Sequence, residues 1–200
     1  AASTTAVKTR ISWYLSIVSI IRTVSANVGS LSSINHLIKL RPCLQCRPNP
    51  FKEITMKVLV IGTGNMGAGF VKQLTAAGHQ VSVAARDFAK AQALAQQHGA
   101  NAVALEVAAN NVAAVVVATP YEQAAAALRS VGDLAGKTVI DITNPLTPDY
   151  MGLTLGHSTS AGEEIARAVP GAEVVKAFNT VFAQVLAEGA DFGAGQKVTV

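Results

Sequence analysis

From residue 57 onward, apolar positions come in short continuous runs separated by segments with helical spacing. Residues 57–61 (KVLVI) are aliphatic and largely β-branched, the pattern of a strand buried on both faces. Gly62-Thr63-Gly64-Asn65-Met66-Gly67 follows at once. Phe70, Val71, Leu74 and Ala77 then recur at helical spacing, and Gly78 is placed to stop that helix. Residues 80–85 (QVSVAA) alternate as a second strand. Strand, glycine turn, helix and strand therefore fill about thirty residues, the context in which such a turn carries meaning.

The alternation continues. Residues 87–97 read as a helix capped by Asp87 and closed by Gly99. Further strands are predicted at 102–105, 112–119, 138–142 and 173–178, and further helices at 120–129, 160–169 and near 181–187. Ser160 and Glu163 have capping-box spacing, and Pro170-Gly171 ends their helix. Residues 197–200 look like one more strand, cut short by the chain end. The expectation is an α/β fold, a Rossmann-type doubly wound and mostly parallel sheet over residues 56–200, truncated at its C-terminal side.

Charge changes the picture only by its location. The sequence pI is about 9.2, yet seven of the sixteen basic residues and only one of the twelve acids precede Met56. The body is slightly acidic, with neither a basic stripe nor an aromatic platform, which argues against nucleic-acid binding. Residues 1–55 form a leader rich in Ser, Ile, Arg and Asn. Its apolar stretch at 11–21 is shorter than the twenty or so residues a membrane span needs. With Met56 directly before the first strand, the leader reads as upstream or non-native sequence; an organellar transit peptide is the alternative. Cys43 and Cys46, the only cysteines, lie there without the further ligands that zinc needs. A cysteine-free body needs no oxidising compartment, and a cytoplasmic location is expected.

Each glycine of the turn answers a physical need. Gly62 permits a tight turn, Gly64 lets the backbone approach a pyrophosphate, and Gly67 lets helix and strand pack closely. The helix opening at Asn65-Met66 directs free N–H groups and a positive dipole end at the phosphates. At the end of the second strand, where an NAD site places Asp or Glu, the chain has Ala84-Ala85-Arg86-Asp87. Arg86 can fork onto a 2′-phosphate, and Asp87 is better placed as a helix cap, so NADP(H) is favoured over NAD. Thr63 can add a hydroxyl. Ala118-Thr119-Pro120 ends the fourth strand, where small residues let a nicotinamide lie close to the backbone. Asn144-Pro145 is either a second wall of that pocket or an ordinary turn.

Taken in order, IGTGNMG, AARD, VVVATPYE, VIDITNPL, HSTSAGEEIA and VVKAFNT resemble the deazaflavin-coenzyme-dependent NADP reductase family. That family shares its N-terminal domain type with pyrroline carboxylate reductases and is related to the reductase domains of metal-reducing membrane proteins. The resemblance implies that Thr63 and Arg86 take the 2′-phosphate and that Thr119-Pro120 lies beside the nicotinamide. It also suggests a homodimer. Family members often carry Ser where this chain has Ala85.

The expected activity is transfer of hydride between NADP(H) and a flavin-like or other small redox acceptor. Stacking of two rings supplies most of such catalysis, and no dedicated acid is compulsory. Reduction of an imine or a hydroxy-acid type substrate would need a proton donor, for which His157, Lys176, Tyr121 and Tyr150 are the candidates; none is assigned a catalytic role. Asn179 and Thr180 read most simply as caps of the following helix. A module that senses NADP(H) without chemistry is the third reading.

Overall fold

The computed structural model describes residues 55–156 and 158–189. Six parallel strands form one sheet: β1 Lys57–Ile61, β2 Gln80–Ala84, β3 Asn101–Ala102, β4 Ala114–Val117, β5 Thr138–Asp141 and β6 Glu173–Lys176. Their order is β3-β2-β1-β4-β5-β6. The connections run outward from β1 in one direction and from β4 in the other, so the strand order reverses between β1 and β4. The predicted strand at 197–200, and the whole of the leader, lie outside the described residues.

The aliphatic runs become strands because both faces of this sheet are covered. One face, with Val58, Val60, Val83 and Val116, packs against α1 Asn65–Ala76, α2 Phe88–His98 and α5 Ala183–Glu188. The other, with Leu59, Ile61, Val115 and Val117, packs against α3 Tyr121–Arg129 and α4 Ala161–Ala168. All four residues of β4 and all four of β5 are buried, whereas β6, at the sheet edge, is only partly covered.

Helix ends follow the sequence closely, since their signals are local. The Asp87 carboxylate accepts from the Lys90 amide at 3.2 Å, and Gly99 closes α2 in the left-handed region. Ser160 and Glu163 form the reciprocal capping box at the start of α4. Strand ends differ more. The strand expected at 102–105 is only Asn101–Ala102, and Leu105–Val107 is a turn of 3-10 helix. The strand expected at 112–119 keeps four paired residues, with Ala113 and Ala118 adding single amide bonds to Lys57 and Ile61. β6 stops at Lys176, not 178, because Phe178 turns the backbone to a φ of 62°.

Candidate functional site

Three strand ends converge on a cavity of about 800 Å³ at the carboxyl edge of the sheet. β1 delivers Ile61 and the start of the glycine turn, β2 delivers Ala85 and Arg86, and β4 delivers Ala118, Thr119 and Pro120. This is the reversal point of the strand order, where ligands of open parallel sheets bind.

The turn shows why glycine is required. Gly62 has a φ of 114°, and a β-carbon there would overlap the Ala118 carbonyl. A β-carbon at Gly67 would collide with the Gly62 carbonyl, so α1 approaches β1 as closely as a backbone permits. Gly64 differs. Its backbone is ordinary and nothing lies within 4 Å of its missing side chain. The open side of Gly64 lines the cavity, the place a pyrophosphate would pass. Helix α1 begins there with no side-chain cap and no acid in its first turn, which leaves its positive end to an anion.

At its β2 end the cavity is lined by two bases, Arg86 and Lys90, and one acid, Asp87. Arg86 is exposed and has no ion-pair partner among the described residues. Lys90, one turn into α2, also lines the cavity and stands 3.6 Å from the Asp87 carboxylate. Both members of that pair are largely exposed, so the attraction is weak and Lys90 is free to turn. Lys90 is not among the residues expected from the sequence; it lies in the first turn of α2, close after Arg86 in the chain. At the β4 end, the Thr119 hydroxyl is buried without a hydrogen-bond partner. A buried polar atom of this kind in a cavity wall is suited to a ligand that completes it.

Not every predicted residue reaches the cavity. Gly62, Thr63, Gly64, Arg86, Ala118, Thr119 and Pro120 line it; Asn65, Met66, Gly67 and Asn144 do not. Asn144 instead donates from Nδ2 to the Asn179 carbonyl at 2.8 Å. Asn179 and Thr180 do not cap the last helix as expected, for α5 starts after Phe182 and has no side-chain cap. Asn179 is turned toward Asn144 instead.

Three of the four candidate proton donors, Tyr121, Tyr150 and Lys176, are also placed away from the cavity. Tyr121 borders a second, smaller groove between α3 and α4, with Glu164 and Arg167. Burial, then the carboxylates of Glu164, Asp141 and Glu122, push its hydroxyl above the ordinary tyrosine range, so it stays protonated. Tyr150 is exposed in the turn after β5. Lys176 is bound to Asp141 at 2.8 Å. His157 lies outside the described residues. Among the described residues there is no cluster able to hold a metal ion, and no helix long and apolar enough to cross a membrane.

The strand order, with the glycine turn at its reversal point, makes this a dinucleotide-binding domain of the Rossmann type. Residues 57–145 match the family described as NADP oxidoreductase, coenzyme F420-dependent. That match covers 89 of the 200 residues of the chain. It is 32% identical to the F420-dependent NADP reductase of Methanothermobacter thermautotrophicus, over 68% of this chain and 66% of that protein. It is 29% identical to the metalloreductase STEAP3 of Rattus norvegicus, over 66% of this chain and 26% of that one. The chain thus spans just under two thirds of one curated relative and about a quarter of the other. Among solved structures, it is similar to a hypothetical protein of Sinorhizobium meliloti, with a TM-score of 0.63 and 32% identity over 73% of this chain and 72% of that one. An Arthrobacter structure assigned as an F420-dependent NADP reductase aligns with a TM-score of 0.59 and 33% identity, over 64% of this chain and 65% of that one.

Proposed function

We propose that this chain binds NADP(H) along the carboxyl edge of β2, β1 and β4, and that it transfers hydride between the nicotinamide and a flavin-like or other small redox acceptor. The observation that carries this reading is the convergence of the glycine turn, Arg86 and Thr119 on one cavity. The residues fit the cofactor at each end. Gly62 and Gly64 clear the backbone for the pyrophosphate, and the start of α1 holds its charge through amide N–H groups. Arg86 binds the 2′-phosphate through paired N–H donors, with Lys90 adding a point charge. Thr63, on the turn, is a further donor to that phosphate. Thr119 gives its unpaired hydroxyl to the nicotinamide half, and Ala118 leaves room for the ring.

When bound, the nicotinamide itself supplies the hydride chemistry. The protein's share is then orientation and the exclusion of water, which converts an encounter in solution into a positioned reaction. No acid on the cavity wall is required for transfer to a ring acceptor. That agrees with the placing of Tyr121, Tyr150 and Lys176 outside it. The names of the relatives point to the same acceptor class, since two of them are named for F420-dependent NADP reduction.

The test is to incubate the chain with NADPH and, in turn, a 5-deazaflavin and FMN, following loss of the reduced-nicotinamide absorbance. Oxidation with either ring supports the proposal. Tight NADPH binding with no transfer to these rings, to imines or to 2-oxo acids would make the chain a nucleotide sensor.

A further inference from the structure

The cavity ends at β4, but the carboxyl edge of the sheet continues through β5 and β6. Pairing registers Ile61 with Val117, Val117 with Asp141, and Asp141 with Lys176, so these residues form one row across the sheet. At the far end of that row the structure is unusually polar. Asp141 is fully buried and both its oxygens are used. Oδ1 accepts from the Thr143 amide at 2.9 Å and from the Thr143 hydroxyl at 2.8 Å, while Oδ2 accepts from Lys176 Nζ at 2.8 Å. Lys176 also donates to the Thr143 carbonyl. A buried carboxylate is costly unless it is paired in this way, and here the pairing ties the two strand ends together.

Directly after Thr143 comes Asn144. Its Nδ2 donates to the Asn179 carbonyl at 2.8 Å, and the Asn179 Nδ2 reaches back to Asn144 Oδ1 at 3.4 Å. Asn179 is brought there by Phe178, whose left-handed φ of 62° is unfavourable for a bulky side chain. The buried Phe178 ring stands edge-on to Phe70 with centroids 5.0 Å apart, which holds that conformation in place. Two asparagines thus stand side by side in the loops that follow β5 and β6, and β5 is the neighbour of β4, where the cavity ends. Each amide still has a donor hydrogen and an acceptor lone pair to offer.

We propose that Asn144 and Asn179 form the acceptor-side wall of the site and recognise flat heterocycles by an edge that alternates acceptor, donor and acceptor, as an imide does. Lys176 and Asp141 are the positioning pair beneath them. This rests on the hydride-transfer reading above. It assigns specificity to a place that the cofactor does not occupy, and to residues whose order in the chain gives no hint of their pairing.

The test uses lumiflavin and 3-methyllumiflavin, in which a methyl group replaces the imide hydrogen, as fluorescent probes of the full chain saturated with NADP⁺. The wild-type chain should bind lumiflavin about tenfold more tightly, the worth of one good hydrogen bond. The surface double variant Asn144→Ala/Asn179→Ala should bind the two rings alike while still binding NADPH. The paired change Asp141→Leu/Lys176→Met, which removes both charges together, should also lose the discrimination and keep NADPH binding. A purely structural role would shift stability without touching the ratio between the two rings. Equal binding of both rings by the wild-type chain, or discrimination that survives in the asparagine variant, overturns this proposal alone. Failure of the wild-type chain to bind NADPH overturns the hydride-transfer reading and this one with it.

Discussion

Two glycines of one turn make opposite demands, and the difference separates folding from binding. Gly67 is needed by the fold, because any β-carbon there meets the Gly62 carbonyl. Gly67→Ala should therefore lower the melting temperature sharply, with loss of NADPH binding as a consequence. Gly64 is the one we propose the ligand needs. Its side faces open space and its φ of −71° suits any residue. Gly64→Ala should leave stability within about 1 kcal/mol of wild type, yet weaken NADPH by about tenfold or more, as one lost phosphate contact would. Calorimetric melting and a fluorescence titration on the same protein would separate the two effects. Arg86→Ala should cost NADPH about tenfold to a hundredfold, in the range of a charged hydrogen bond, and leave NADH nearly untouched. Asp87→Ala should cost α2 about 1 kcal/mol through its lost cap without weakening NADPH. If Asp87 instead held a ribose, the same variant would weaken NADH.

At the scale of elements, helix α4 is held at its start by a reciprocal pair of bonds. The Ser160 hydroxyl accepts from the Glu163 amide at 3.2 Å, and the Glu163 carboxylate accepts from the Ser160 amide at 2.7 Å. Ser160→Ala should cost about 1 kcal/mol. The Glu163 carboxyl is held below its ordinary value, first by the Ser160 backbone bond, then by the Ser160 and Thr159 hydroxyls. A carboxylate with a depressed folded-state value stabilises the helix above its unfolded value and stops doing so as pH falls through the folded one. Amide-exchange protection across α4 should therefore decline in acid, and Glu163→Gln should flatten that decline. These caps could be read from sequence because donor and acceptor lie three residues apart. The ends of β3, β4 and β6 could not, because an apolar run does not show where its partner strand stops. Asn179 misled for a related reason. It has the chemistry of a cap, but its partner is Asn144, thirty-five residues earlier in the chain.

For the molecule as a whole, the order of strands follows from buried aliphatic runs joined by helices, and the sequence pattern carried that far. What it carried of the site was the part built from one continuous stretch, the glycine turn, and the part that departs from an expected residue, Arg86 in place of an acid. Lys90 became part of the site only when α2 turned it toward the same cavity. The Asp141–Lys176 pair depends on β5 and β6 being neighbours in register, a fact of topology. Both sides of the sheet therefore meet at its carboxyl edge, with a basic end at β2 and a row of paired polar groups at β5 and β6. We propose that this edge holds NADP(H), selected by its 2′-phosphate. The most direct measurement is a titration of the chain with NADPH and with NADH, each followed by nicotinamide fluorescence, for wild type and Arg86→Ala side by side. Wild type should bind NADPH at least about tenfold more tightly than NADH, and the variant should lose this preference. Equal affinity of the wild-type chain for the two nucleotides, or a preference that survives removal of Arg86, would mean that Arg86 does not select the 2′-phosphate.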